Sequence, residues 1–116
     1  MKKLELIAAI GAVIGSLLRY LASTLIDSTN FPWATFTVNI VGSLLIGLFL
    51  ALPAIMQNEQ RRVFLITGLL GGFTTFSALA VESLQLSAQL ALLYIFGSFF
   101  LGTAVAIMAN RLAAKA

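Results

Sequence analysis

The chain has 116 residues, of which 60% are hydrophobic and 9% charged, and its mean hydropathy is +1.05. A soluble domain could not keep so much apolar surface out of aggregates, so the composition indicates an integral membrane protein. With neither cysteine nor histidine, disulfide, thiolate and imidazole chemistry are excluded. The net charge of +3 comes from basic residues at the ends of apolar segments, where they mark topology and not a nucleic-acid surface.

A helix needs roughly 20 apolar residues to cross the hydrocarbon core. Four such spans can be drawn, at 4–26, 32–56, 63–83 and 86–110, giving one integral membrane domain over residues 1–116. No cleavable signal peptide is expected, because Lys2 and Lys3 precede an apolar stretch that runs past signal length without a clear small-residue cleavage site. The first span carries Arg19 about fifteen residues in, roughly 22 Å along a helix. Its guanidinium can snorkel to the far interface or raise the anion concentration at a pore mouth. Gly11 and Gly15, like Gly68 and Gly72 in the third span, have the spacing that lets helices approach closely.

In the second span Thr35, Asn39 and Ser43 fall on one helix face and offer amide and hydroxyl groups without a fixed positive charge. Such a face lines a pathway or makes interhelical hydrogen bonds, the latter worth about 0.6 kcal/mol each in membranes. Thr37 fits the second role. Gly42, Ser43 and Gly47 again permit close approach.

The third span is interrupted where it should be continuous and oily. From Leu69 it reads Leu-Leu-Gly-Gly-Phe-Thr-Thr-Phe-Ser, ending at Ser77, and irregular backbone is expected across this stretch. Unpaired N–H and C=O groups cost several kcal/mol each in hydrocarbon, so a break survives only where it is buried in protein or lines a path for ions or water. Gly71 is expected to take a conformation that only glycine accepts without penalty. Phe73 and Phe76 flank the break, either packed in the core or lipid, or presenting positive ring edges to an anion. Glu82 either braces the following segment or is a surface carboxylate.

Tyr94, Ser98 and Gly102 in the fourth span repeat the i, i+4, i+8 spacing, giving a second polar stripe. Four helices cannot easily enclose a polar route alone, so the chain is expected to oligomerise. Enzymatic function has no support, since no nucleophile–base pair or metal cluster can be assembled. A small four-span multidrug exporter should carry a carboxylate deep in its first helix, whereas Glu5 sits at the start.

Gly11-Ala12 with Gly15, Leu18, Arg19 and Tyr20, then Pro32, Thr35, Val38, Asn39 and Gly42, then Gly68 through Ser77 with Glu82, occur in the order of the Fluc (CrcB) fluoride channels, and the chain resembles them over essentially its whole length. The resemblance implies an all-α membrane protein with four transmembrane helices, the third broken. It further implies an antiparallel, dual-topology-type dimer in the bacterial plasma (inner) membrane. Such a dimer passively exports cytoplasmic fluoride through two pores, with one structural sodium ion at the dimer interface. Position by position, it implies that Gly71 and Thr74 offer backbone carbonyls to that sodium and that Asn39 and Phe76 line the pore. Thr35, Thr75, Ser77, Tyr94 and Ser98 match polar pore or track positions, and Arg19 matches a vestibule arginine. Neutral donors of this kind can replace the shell of a small anion, while a narrow route refuses chloride.

Two departures stand out. The family's second pore phenylalanine would fall at position 79, where this chain has Leu79, and Ala78 replaces a usual threonine. With a cytoplasmic N-terminus, Lys2, Lys3, Arg61, Arg62, Arg111 and Lys115 lie inside and Arg19 alone lies toward the outside, six against one. A dual-topology protein should be nearly balanced. Together the departures suggest a heterodimer with an oppositely oriented homologue that supplies the missing phenylalanine; a homodimer stays open, as does a non-conducting subunit.

Overall fold

A computed structural model describes residues 2–115. Four helical stretches are long and apolar enough to cross a membrane: α1 (Lys2–Leu25), α2 (Trp33–Leu50), a composite third span (Glu59–Leu84) and α7 (Ala88–Lys115). The short helix α3 (Pro53–Met56) lies between the second and third spans. The third span is assembled from α4 (Glu59–Arg62), a π-helical stretch (Val63–Leu70), α5 (Gly71–Phe73) and α6 (Ser77–Leu84).

The second span is shorter than its hydropathy predicts, ending at Leu50 and not at Met56. Pro53 cannot continue a helix, and it holds Leu52 before it in extended backbone at ψ 113°. The N–H groups of Ala51 and Leu52 instead donate to carbonyls only three residues back, to Leu48 at 3.1 Å and Phe49 at 3.2 Å, and Pro53 opens α3.

Glycine sets how the spans pack. The first and third run parallel: a Cβ on Gly11 would lie 2.6 Å from the Phe64 carbonyl oxygen and one on Gly68 2.6 Å from that of Ala8. Gly15 meets the Leu69 carbonyl and Gly72 that of Ala12 more closely still. Helices α2 and α7 form a second parallel pair, with Gly47 against the Ala106 carbonyl and Gly102 against Ser43. These are small-residue seams in which backbone touches backbone.

The connections are tied by side chains. Before α2, the Ser28 hydroxyl accepts from the Ala34 N–H at 3.0 Å. Thr29 donates both its hydroxyl and its N–H to Asp27, holding that carboxyl below the usual range. Asn58 Oδ1 caps α4 by accepting from the Arg61 N–H at 3.0 Å. The guanidiniums of Arg61 and Arg62 donate to the Ala54 carbonyl at 3.2 Å and the Met56 carbonyl at 2.9 Å, tying α4 to the carbonyls of α3.

Candidate functional site: the break in the third span

The irregular backbone is narrower than the sequence suggests. Residues 71–73 remain helical, and only Thr74, Thr75 and Phe76 lie outside α5 and α6. Gly71 has ordinary right-handed helical angles, φ −61° and ψ −36°, so it needs no glycine-only conformation, contrary to the sequence expectation. Gly68 and Gly72 serve the contact with α1, and this is why glycines accumulate here without unwinding the helix. The chain leaves the helix at Thr74, where ψ reaches 156°. The N–H and hydroxyl of Thr74 both donate to the Leu70 carbonyl, at 3.0 and 2.9 Å.

Asn39 on α2 holds the break open. Its Nδ2 donates to the Thr75 carbonyl and its Oδ1 accepts from the Thr75 N–H, both at 2.9 Å. The Thr75 hydroxyl accepts from the Ala78 N–H at 3.1 Å, closing the first turn of α6, and lies 3.3 Å from the Ser77 hydroxyl. Most of the polar capacity predicted for a pathway is therefore used internally. Ser43 likewise donates to the Asn39 carbonyl at 2.8 Å.

These bonds have a consequence for the backbone. In an unbroken α-helix the Gly71 carbonyl would accept from the Thr75 N–H and the Thr74 carbonyl from the Ala78 N–H. The first donor is taken by Asn39 and the second by the Thr75 hydroxyl. Two uncharged carbonyl oxygens, at the positions the resemblance implies for sodium, thus lose their helical donors. Neutral oxygens are the ligand type a hard cation takes, so the donor set fits such an ion.

Beside the break lies a groove of about 500 Å³, whose walls include Asn39, Thr74, Thr75, Phe76, Leu79 and Ser98, with Gly71 at its edge and no charged side chain in its lining. Phe76 projects from it, 69% exposed, whereas Leu79 is buried in its wall. The Ser98 hydroxyl is buried with no hydrogen-bond partner among the described residues. Ser77 is exposed at the start of α6 and reaches the site through Thr75.

Other predicted residues gather elsewhere. Tyr94, one turn before Ser98 on α7, is fully buried, and its hydroxyl donates to Glu82 Oε1 at 2.9 Å with Thr35 alongside. Glu82 is therefore a brace between α6 and α7. The Phe31 and Tyr94 rings pack edge to face with centroids 5.2 Å apart, and Trp33 and Phe36 complete an aromatic cluster. Arg19 stands outside the groove lining, half-buried, its Nε without a partner among the described residues. Thr37 is exposed.

Sequence reading missed the bracing role of Phe31, which sits in a connection, and of Asn110, whose Nδ2 donates to the Gly47 carbonyl at 3.0 Å. The signal for Asn110 was available: an amide at the end of a 28-residue apolar helix, opposite a helix ending near Pro53.

A span broken at residues 74–76 and held by an asparagine, beside a groove without charged side chains, sets this chain apart as a multi-pass membrane protein with a polar site within its spans. A family model described as CrcB-like protein, Camphor Resistance (CrcB), matches residues 6–110, and the chain belongs to this family. A relative from Thermus thermophilus, described as fluoride-specific ion channel FluC, is 47% identical over 116 residues, covering 92% of each chain. Relatives with the same description from Flavobacterium psychrophilum and Oceanobacillus iheyensis are 48% and 42% identical. They cover 81% and 93% of this chain and 83% and 89% of their own length.

Proposed function

We infer that the protein is a fluoride-selective channel that lets toxic cytoplasmic fluoride leave passively across the bacterial inner membrane. The observation that carries this reading is the groove beside the break, polar at Asn39, Thr75 and Ser98, edged by the exposed Phe76 ring and free of charged side chains. Hydroxyl, amide and ring-edge donors can replace a small anion's hydration shell, and without a fixed cation nothing traps it. The description borne by the relatives points the same way.

The groove is open on one face, and a second subunit inserted in the opposite sense would close it into a pore. Two such grooves face each other in a dimer, giving two pores, and the Gly71 and Thr74 carbonyls hold one structural sodium between the subunits. The ion supplies a positive charge that ties together carbonyls otherwise left unpaired. Leu79 in the groove wall and the charge bias of six against one favour an oppositely oriented homologue as the partner over a second copy.

The test is electrode-monitored efflux from liposomes holding this chain, alone and with a reverse-biased homologue. Fluoride efflux without chloride efflux is expected. Equal chloride flux, or no fluoride flux in either preparation, would overturn the channel reading. If the chain works as a homodimer, Leu79→Phe raises the flux; if the partner supplies the ring, it adds little.

A further inference from the structure

Two side chains take the N–H groups that would pair with the Gly71 and Thr74 carbonyls in an unbroken helix, and neither side chain belongs to the sodium ligand set the resemblance implies. Resting on the sodium reading above, we propose that Asn39 and Thr75 are positioning residues for the cation. Asn39 thereby acts on both the ion path and the ion that holds the subunits together.

The geometry is a chain of three substitutions of hydrogen-bond partner. Asn39 Oδ1 takes the Thr75 N–H at 2.9 Å, which frees the Gly71 carbonyl. Asn39 Nδ2 holds the Thr75 carbonyl at 2.9 Å, so the Thr75 backbone is held at both its N–H and its C=O and is kept out of the helix. The Thr75 hydroxyl takes the Ala78 N–H at 3.1 Å, which frees the Thr74 carbonyl. The surroundings agree with a site that faces outward. Gly71 is exposed, and a Cβ built there has no neighbour nearer than the Ile66 carbonyl oxygen at 3.9 Å, in contrast to the crowded Gly68 and Gly72 on either side.

A carboxamide suits the clamp because one rigid group both donates and accepts, so it can hold the N–H and the C=O of a single residue, which belong to successive peptide groups. Remove it, and the Thr75 N–H returns to the Gly71 carbonyl, extending α5 by a residue and removing one cation ligand. Remove the Thr75 hydroxyl, and the Ala78 N–H closes on the Thr74 carbonyl, removing the other. Both changes act on the cation without touching it, as groups behind metal ligands commonly do.

The experiment is a sodium titration of the full-length protein in detergent, alone and together with a reverse-biased homologue, with N-methylglucamine keeping ionic strength constant. Thermal unfolding is followed by the fluorescence of Trp33, the single tryptophan. A cation that binds only the folded protein raises the unfolding temperature with its concentration. For the wild type we expect a saturable rise. For Asn39→Ala and Thr75→Val the half-saturating sodium concentration should increase about tenfold or more, the scale seen when groups supporting metal ligands are lost. Thr75→Ser, which keeps the hydroxyl, should stay close to wild type.

A wild-type protein indifferent to sodium both alone and together with the homologue would defeat the sodium reading itself. A sodium-responsive wild type with an unchanged midpoint in Thr75→Val would leave that reading intact and overturn the positioning role. Should Asn39→Ala fail to fold, the Thr75→Val and Thr75→Ser pair decides the matter alone, since only the hydroxyl separates their expected behaviour.

Discussion

Three glycines within five residues of the third span do two different things. Gly68 and Gly72 face α1, and an added Cβ on either would strike the carbonyl of Ala8 or Ala12. Gly71 lies between them on the other side of the helix, exposed, in an ordinary helical conformation and with room for a side chain. At the first two positions the chain's own packing demands glycine. At Gly71 the chain gives no internal reason, so any requirement comes from something approaching the open face from outside. In the third span, helix seam and groove face are thus distinguishable glycine by glycine.

The largest effect is expected where the seam is tightest. In Gly15→Val the new Cβ would overlap the Leu69 carbonyl, and a backbone atom cannot rotate away as a side chain can. Helix α1 would have to lift from the third span, at a cost of about 3 kcal/mol. Reversible unfolding in mixed micelles should show this loss. Wild-type stability in Gly15→Val would mean that the two spans are not held by backbone contact.

Gly71→Val sharpens the comparison from the other side. The isolated subunit should keep its helicity and its stability to within about 0.5 kcal/mol, as expected of a substitution that meets nothing. If the open face is the interface proposed above, association should be lost and fluoride flux with it, because the valine would stand where the second subunit packs. Cross-linking in membranes, compared with circular dichroism of the purified variant, separates the two. A dimer that forms normally with valine at this position would show that the open face is not the interface.

The contrast also explains what was legible in the sequence. Four spans follow from hydropathy, and the small-residue spacing of Gly11 with Gly15 and Gly68 with Gly72 marks the seam because helical periodicity puts each pair on one face. Asn39 and the threonines stood out because polar groups in a membrane span need a partner or a function. The partner itself was not legible: that Asn39 clamps the Thr75 peptide depends on how α2 meets the third span, which no local pattern encodes. The glycines exaggerated the break, since Gly71 and Gly72 carry no mark telling close packing from irregular backbone. Nothing in Val63–Leu70 announces π-helical geometry, an apolar run being compatible with either winding. The early end of α2 was written in Pro53, but hydropathy on both sides outweighed it.

The smallest effect concerns the second seam, where α2 ends against α7. The Gly47 carbonyl would ordinarily accept from the Ala51 N–H, but that N–H turns to the Leu48 carbonyl as the helix tightens before Pro53. Asn110 Nδ2 replaces it at 3.0 Å. Asn110→Leu keeps the branched shape of the side chain and removes the donor, leaving the Gly47 carbonyl without that partner. The expected cost is about 1 kcal/mol, the low end for an unsatisfied carbonyl, because both residues are near helix ends that water can approach. Because neither Gly47 nor Asn110 lines the groove, fluoride flux per folded protein should be unchanged while the unfolding midpoint falls. A fall in flux without a fall in stability would place Asn110 among the residues of the ion path, and the division between seam and groove would have to be redrawn.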